Sequence, residues 1–273
     1  MFELLSFSFF QHALLAALLV SLACGIIGSL IMINRLFSLA GGITHAAFGG
    51  IGIAVYFALP ILLSTSIFTL ILAFFIAFLS EKFPHRSDSV IAVIWAFGMA
   101  FGLILIDLSP GYQGDLMAYL FGSILAVSSE DLYLMIGIDL AFIALVFCFY
   151  TQFEALSFDA EFAKVRGVRT RLVHYLLIAM ICFCIVISIR VVGLILVIAL
   201  LSIPCFIAEA FSKKLGEMMI YSCVLSGLFC FLGLFISSIF NLSSGACIIL
   251  VACFGFFIFI SMKNIAKIFK KQA

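Results

Sequence analysis

Between Arg35 and Glu81, and again between Glu217 and Lys263, the chain carries no charged side chain. Each interval holds two helical crossings of a bilayer, because about 20 apolar residues span its hydrocarbon core. Shorter clean intervals, from Asp88 to Asp107, from Arg171 to Arg190 and from Arg190 to Glu209, are each one crossing long. The composition agrees: 66% of the 273 residues are hydrophobic and 10% charged, where a soluble domain is about half apolar and a quarter charged. That excludes a soluble enzyme, a secreted disulfide scaffold and a disordered chain. An outer-membrane barrel is excluded too, since its strands would alternate apolar and polar residues. The expectation is all-α: a polytopic helical bundle, read as a single transmembrane domain over 1–273.

Nine hydrophobic segments can be drawn, at about 12–33, 43–59, 61–79, 89–106, 131–150, 173–189, 191–209, 217–239 and 245–262. The second is interrupted by Gly41, Gly42, Gly49, Gly50 and Gly52. Irregular backbone at membrane depth survives only against protein or a watery cavity, so these glycines fit either a pathway wall or close helix packing on small residues. The spacing Gly98-x-x-x-Gly102 reads as packing. If one segment is re-entrant, eight spans remain, and the side of the N-terminus changes with the count. Met1-Phe2-Glu3 lacks the basic start of a signal peptide.

Orientation follows the Lys/Arg bias. Lys263, Lys267, Lys270 and Lys271 put the C-terminus in the cytoplasm, and counting back puts Lys213/Lys214, the 154–171 loop, Lys82/Arg86 and Arg35 there too. The 107–130 loop, with Asp107, Asp115 and Glu130, the adjoining Asp131 and no Lys or Arg, falls outside; Arg190 is the one dissenter. That loop is turn-forming over Asp107–Asp115, and the apolar stretch Leu116–Val127 after it is too short to cross, so a re-entrant or interfacial outer helix is expected. The inner loop Glu154–Arg171 carries three acidic and four basic residues. Ser157 or Asp159 can cap a short helix there, Lys164 and Arg166 suit its C-terminal end, and Gly167 stops it. Phe158, Phe162 and Val165 give that helix one apolar stripe, suited to lipid or to a partner's groove.

Motifs of catalysis are missing. There is no phosphate-binding Gly-x-x-x-x-Gly-Lys-Ser/Thr loop, no His-Glu-x-x-His and no Gly-x-Ser-x-Gly. The nine cysteines lie in apolar runs without a Cys-x-x-Cys pair and read as packing residues. A net charge of +1 gives no reason to expect nucleic acid. Ionisable residues inside spans are costly and therefore candidates for function. His45, in the glycine-rich second segment, is the foremost: imidazole is a common ligand of borderline metals, and equally a hydrogen-bonded packing group. Asp139 and Glu209 read as membrane-edge residues that snorkel or cap.

Six stretches, in order from about residue 35 to 250, together resemble the permease subunits of ABC importers for zinc, manganese and iron(II). They are Ser38-Leu-Ala-Gly-Gly-Ile-Thr-His45-Ala-Ala-Phe-Gly49-Gly50, Asp88-Ser-Val-Ile-Ala-Val-Ile-Trp95-Ala-Phe-Gly98 and Tyr119-Leu-Phe-Gly122-Ser-Ile-Leu. The others are Ser157-Phe-Asp159-Ala-Glu161-Phe-Ala163-Lys-Val-Arg-Gly167, Val192-Gly193 through Pro204, and Asn241-Leu-Ser-Ser-Gly245-Ala. The resemblance implies a homodimer in the bacterial cytoplasmic (inner) membrane, a separate cytoplasmic ATPase, an extracytoplasmic metal-binding protein and a divalent metal as cargo, with no permanently bound cofactor. It implies that Asp159, Glu161, Phe162, Ala163 and Gly167 couple the permease to the ATPase, and that His45 is a transit site beside pathway glycines Gly41, Gly42, Gly49 and Gly50. The chain departs from the family at Gly41, where many members carry Asp four residues before the His, at Asn241, where Asp is common, and at Ser243, near a usual Pro. With little carboxylate on the path, zinc is the first expected cargo, then manganese, then iron(II). The alternatives are an ion-coupled secondary transporter, which calls for inverted repeats and intramembrane acids, and an ABC permease for an iron chelate.

Overall fold

The computed structural model describes residues 8–109, 122 and 124–272. Among them are ten α-helices and no strand: α1 (Ser8–Ile33), α2 (Phe37–Tyr56), α3 (Ile61–Lys82), α4 (Ser87–Asp107), α5 (Ser129–Phe158), α6 (Ala160–Val165), α7 (Thr170–Val192), α8 (Leu194–Glu209), α9 (Leu215–Phe240) and α10 (Ser244–Gln272). Eight are long and apolar enough to cross a membrane. The exception besides α6 is α8, whose 16 residues reach about 24 Å, short of the roughly 30 Å hydrocarbon thickness.

Helix ends follow local chemistry. α1 turns into α2 through Arg35, held at φ 57°, with Leu36 N–H bonding Ile31 C=O at 2.9 Å. Asn34 Nδ2 secures that turn, donating to Leu30 C=O and to Ser157 Oγ, both at 2.8 Å. α5 opens with a reciprocal cap, Ser128 Oγ accepting from Asp131 N–H and Asp131 accepting from Ser128 N–H. Its backbone breaks helical geometry at Phe149, where the expected span ends, and the helix then continues to Phe158. The expected loop at 154 is therefore helical at its start.

α1 is the hub. Its buried Ala13, Ala16, Ala17, Val20, Cys24, Ile27 and Leu30 pack against α5, α7, α8 and α9. Small residues set the close approaches: a Cβ at Gly28 would come within 2.6 Å of Cys205 Sγ, and one at Gly233 within 2.5 Å of the Ile248 backbone. Six of the nine cysteines are buried in this packing. A second group is α2 with α3 and α4. Gly42 lies against Ile91, Gly98 against Ala46, and Gly102 against Phe48 and Gly49. That register runs α2 and α4 parallel, with α3 the antiparallel partner between them in sequence.

Ion pairs mark the two ends of the bundle. Arg190 at the end of α7 bonds Asp131 at the start of α5, 2.8 Å apart. This pair accounts for the basic residue that dissents from the positive-inside pattern. At the opposite end Arg171 meets Glu81 at 3.2 Å, and Arg35, Glu209, Lys213 and Lys214 surround one cavity. α8 therefore runs from the Arg190 end to the end where α1 finishes. Ile124, in a 3₁₀ turn at Ile124–Ala126, is buried, and Gly122 abuts Val192 and Gly193. The rest of the expected outer helix, including Tyr119, lies outside the described residues.

Candidate metal pathway and coupling helix

His45 sits in the middle of an unbroken α2, and the glycines that interrupt the hydrophobic run do not interrupt the helix. Its imidazole stacks on Trp95 of α4, ring centroids 4.3 Å apart and planes 18° from parallel. Trp95 is 40% exposed, and its Nε1–H points at Met99 Sδ, 3.0 Å away. The Nδ1 of His45 is buried without a hydrogen-bond partner, the state in which an imidazole nitrogen keeps its lone pair or its proton unused. Among the described residues no three His, Cys, Asp or Glu side chains come together as a metal cage. At this face the chain offers a single imidazole.

The glycines around it divide. Gly42, Gly49 and Gly50 face neighbouring helices: side chains there would collide with Ile91, Phe68 and Thr65 respectively. These three do the work of close packing, and Gly50 C=O also accepts a bond from Ser64 Oγ at 3.1 Å. Gly41 has nothing within 4 Å of where its Cβ would stand. It lies one helical turn before His45 and opens on the same side.

At the end of the bundle where α1 finishes, Asp159 caps α6, its Oδ1 accepting from Phe162 N–H at 2.9 Å. Ser157, the other candidate cap, instead donates to Phe153 C=O and accepts from Asn34. Gly167 ends the helix at φ 82°, with Val168 N–H bonding Ala163 C=O and Gly167 N–H bonding Lys164 C=O, both at 3.0 Å. That 6→1 and 5→2 pair is a Schellman stop. Ala163 is buried at 1% exposure, while Phe158, Phe162 and Val165 are 69%, 55% and 86% exposed. One side of α6 is pinned to the bundle and the apolar stripe is left uncovered. Glu161 and Lys164 bond each other at 2.7 Å, and the Arg166 guanidinium lies over the Phe162 ring, 5.1 Å from its centre.

Asp139 differs from its expected place at a membrane edge. It lies halfway between the cap at Ser128 and the break at Phe149, is 5% exposed and leaves Oδ2 unpartnered. Position 139 is near the middle both of the expected 131–150 segment and of the stretch from the Ser128 cap to Phe149, so it falls at the centre of the crossing and not at its edge.

The sequence profile of the ABC 3 transport family matches residues 6–264. The chain belongs to that family. An uncharacterised membrane protein of Synechocystis is 45% identical over 264 residues, covering 97% of this chain and 94% of its own. A manganese transport system membrane protein, MntC, of Listeria monocytogenes is 33% identical, covering 93% and 91%. The solved structure of PsaBC from Streptococcus pneumoniae in complex with Fab contains a chain that superposes with a TM-score of 0.85 at 30% identity, covering 94% of this chain and 92% of that one. The resemblance carried by the six stretches is thereby shown: this is a multi-pass bacterial membrane permease of the metal-importing ABC type, and ATP hydrolysis belongs to a separate subunit.

Proposed function

We propose that two copies of this chain form a gated conduit for a divalent transition metal, with manganese the first cargo. The ion arrives from an extracytoplasmic binding protein, passes the exposed α2–α4 face at His45, and leaves as a cytoplasmic ATPase drives the coupling helix. The observation that carries the reading is the half-buried imidazole on Trp95, with an unused nitrogen and open space at Gly41 one turn away. A second copy facing this surface would bring a second imidazole to the same path and complete a transient site. α6 supports the coupling role: its cap, stop and buried Ala163 hold a short rigid helix, and its exposed Phe162 stripe suits an ATPase groove.

Manganese takes first place, ahead of the zinc preferred on ligand chemistry, because relatives covering nearly the whole chain bear manganese names. Zinc is the second reading, favoured by the imidazole and by Gly41 standing where a carboxylate would suit a harder ion. Uptake of radioactive manganese into proteoliposomes holding permease, ATPase and binding protein, in competition with zinc and iron(II), separates them. Manganese uptake that excess zinc barely inhibits supports the first reading; zinc uptake at manganese's expense supports the second.

A further inference from the structure

An apolar groove of about 710 Å³ runs between α1, α5 and α9. Its floor is Val146 and Met219, both buried, and its walls are the exposed Phe147, Ile220 and Val224. Residues 143–150 and 216–224 line it, so it is about 12 Å long by helical rise, close to the depth of one leaflet's acyl region. Its cytoplasmic mouth is Tyr150, whose hydroxyl accepts from Gly216 N–H at 3.0 Å. The next residues towards the cytoplasm on α9's approach are Lys214 and Lys213, which with Arg35 and Glu209 ring the adjoining cavity. Among the described residues, none of those three cations forms an ion pair; with Glu209 and with Glu217, whose carboxylate accepts from Lys213 N–H at 3.0 Å, the rim keeps a net positive charge of one.

We infer that this groove is a binding site for an anionic phospholipid of the inner leaflet, one acyl chain lying along Phe147 and Val224 and the headgroup phosphate at Lys213 and Lys214. The apolar lining matches a hydrocarbon chain, the length matches one leaflet, and the unpaired cations sit where the phosphate of that same lipid must lie. Basic clusters at the cytoplasmic edge of a helix bundle attract anionic headgroups, each Lys or Arg adding to the attraction. The site rests on the cytoplasmic placement of Lys213 and Lys214 and is independent of which metal is carried.

The test uses the full chain co-purified with its ATPase subunit in mild detergent. Thermal unfolding is followed while phosphatidylglycerol or phosphatidylcholine is added, and co-purifying lipid is quantified by mass spectrometry. Phosphatidylglycerol should raise the melting temperature at lower concentration than phosphatidylcholine. Replacing both lysines, Lys213→Gln with Lys214→Gln, should weaken phosphatidylglycerol by roughly tenfold or more and leave phosphatidylcholine unchanged. Val224→Trp, on an exposed wall, should weaken both lipids. Equal effects of the two lipids, or a double variant that keeps its phosphatidylglycerol affinity, would overturn the site. If that variant keeps the lipid and sheds the ATPase, the basic rim is an ATPase contact and the lipid assignment falls.

Discussion

His45 and Trp95, fifty residues apart in sequence, lie ring on ring at 4.3 Å across the α2–α4 contact. The indole fixes the imidazole plane while leaving Nδ1 unpartnered, so the pair presents a positioned ligand on a surface open at Gly41. His45→Ala should cut metal uptake by about tenfold or more, the scale seen when groups supporting a metal ligand are lost, and leave the melting temperature near wild type. Trp95→Phe keeps a stacking face and should retain most uptake; Trp95→Ala should not. Uptake assays beside thermal unfolding of each variant decide.

The glycines of α2 and α4 should separate by role. A side chain at Gly102 meets the backbone of Phe48 and Gly49, which cannot yield, so Gly102→Leu should destabilise by about 1–3 kcal/mol or more. Gly41→Ala meets nothing and should leave stability within about 0.5 kcal/mol. Gly41→Asp tests the path itself: a carboxylate one turn from His45 should raise uptake of manganese relative to zinc. Melting temperatures and two-metal uptake ratios read these out.

Coupling should depend on the two ends of α6. Asp159→Ala removes the cap, a loss of about 1 kcal/mol, and Gly167→Val forces a branched side chain to φ 82°, costing about 1–2 kcal/mol. Both should lower uptake per ATP hydrolysed while the bundle stays folded. Phe162→Ala should weaken ATPase co-purification without altering the melting temperature.

The outer pair of Arg190 and Asp131 is half exposed on the arginine side, so its coupling is modest, about 0.5–1 kcal/mol. A double-mutant cycle with Arg190→Gln and Asp131→Asn should return that value. Asp131→Asn alone should cost more than Arg190→Gln, because Asp131 also bonds the Ser128 cap.

Charge-free intervals made the helical bundle legible, because bilayer insertion depends on local composition. Capping of α6 by Asp159 and its stop at Gly167 were legible for the same reason: both are settled within a few residues. What pairs across the fold was not. Trp95 stood in a recognised stretch, but nothing local said that it covers His45. The registers of α2 on α4 and on α3, which turn Gly42 and then Gly49 and Gly50 into packing residues, are likewise set by tertiary contact. Asp139 reads as an edge residue although the 131–150 segment already centres near it; its burial is set by tertiary packing, which local sequence does not show.

The most direct test of the account is metal uptake by vesicles holding this permease with its binding protein and either an active or a hydrolysis-deficient ATPase. Uptake is expected only with the active ATPase, and it should fall sharply when the permease carries His45→Ala. Uptake that persists without ATP hydrolysis, or that is indifferent to His45, would contradict it.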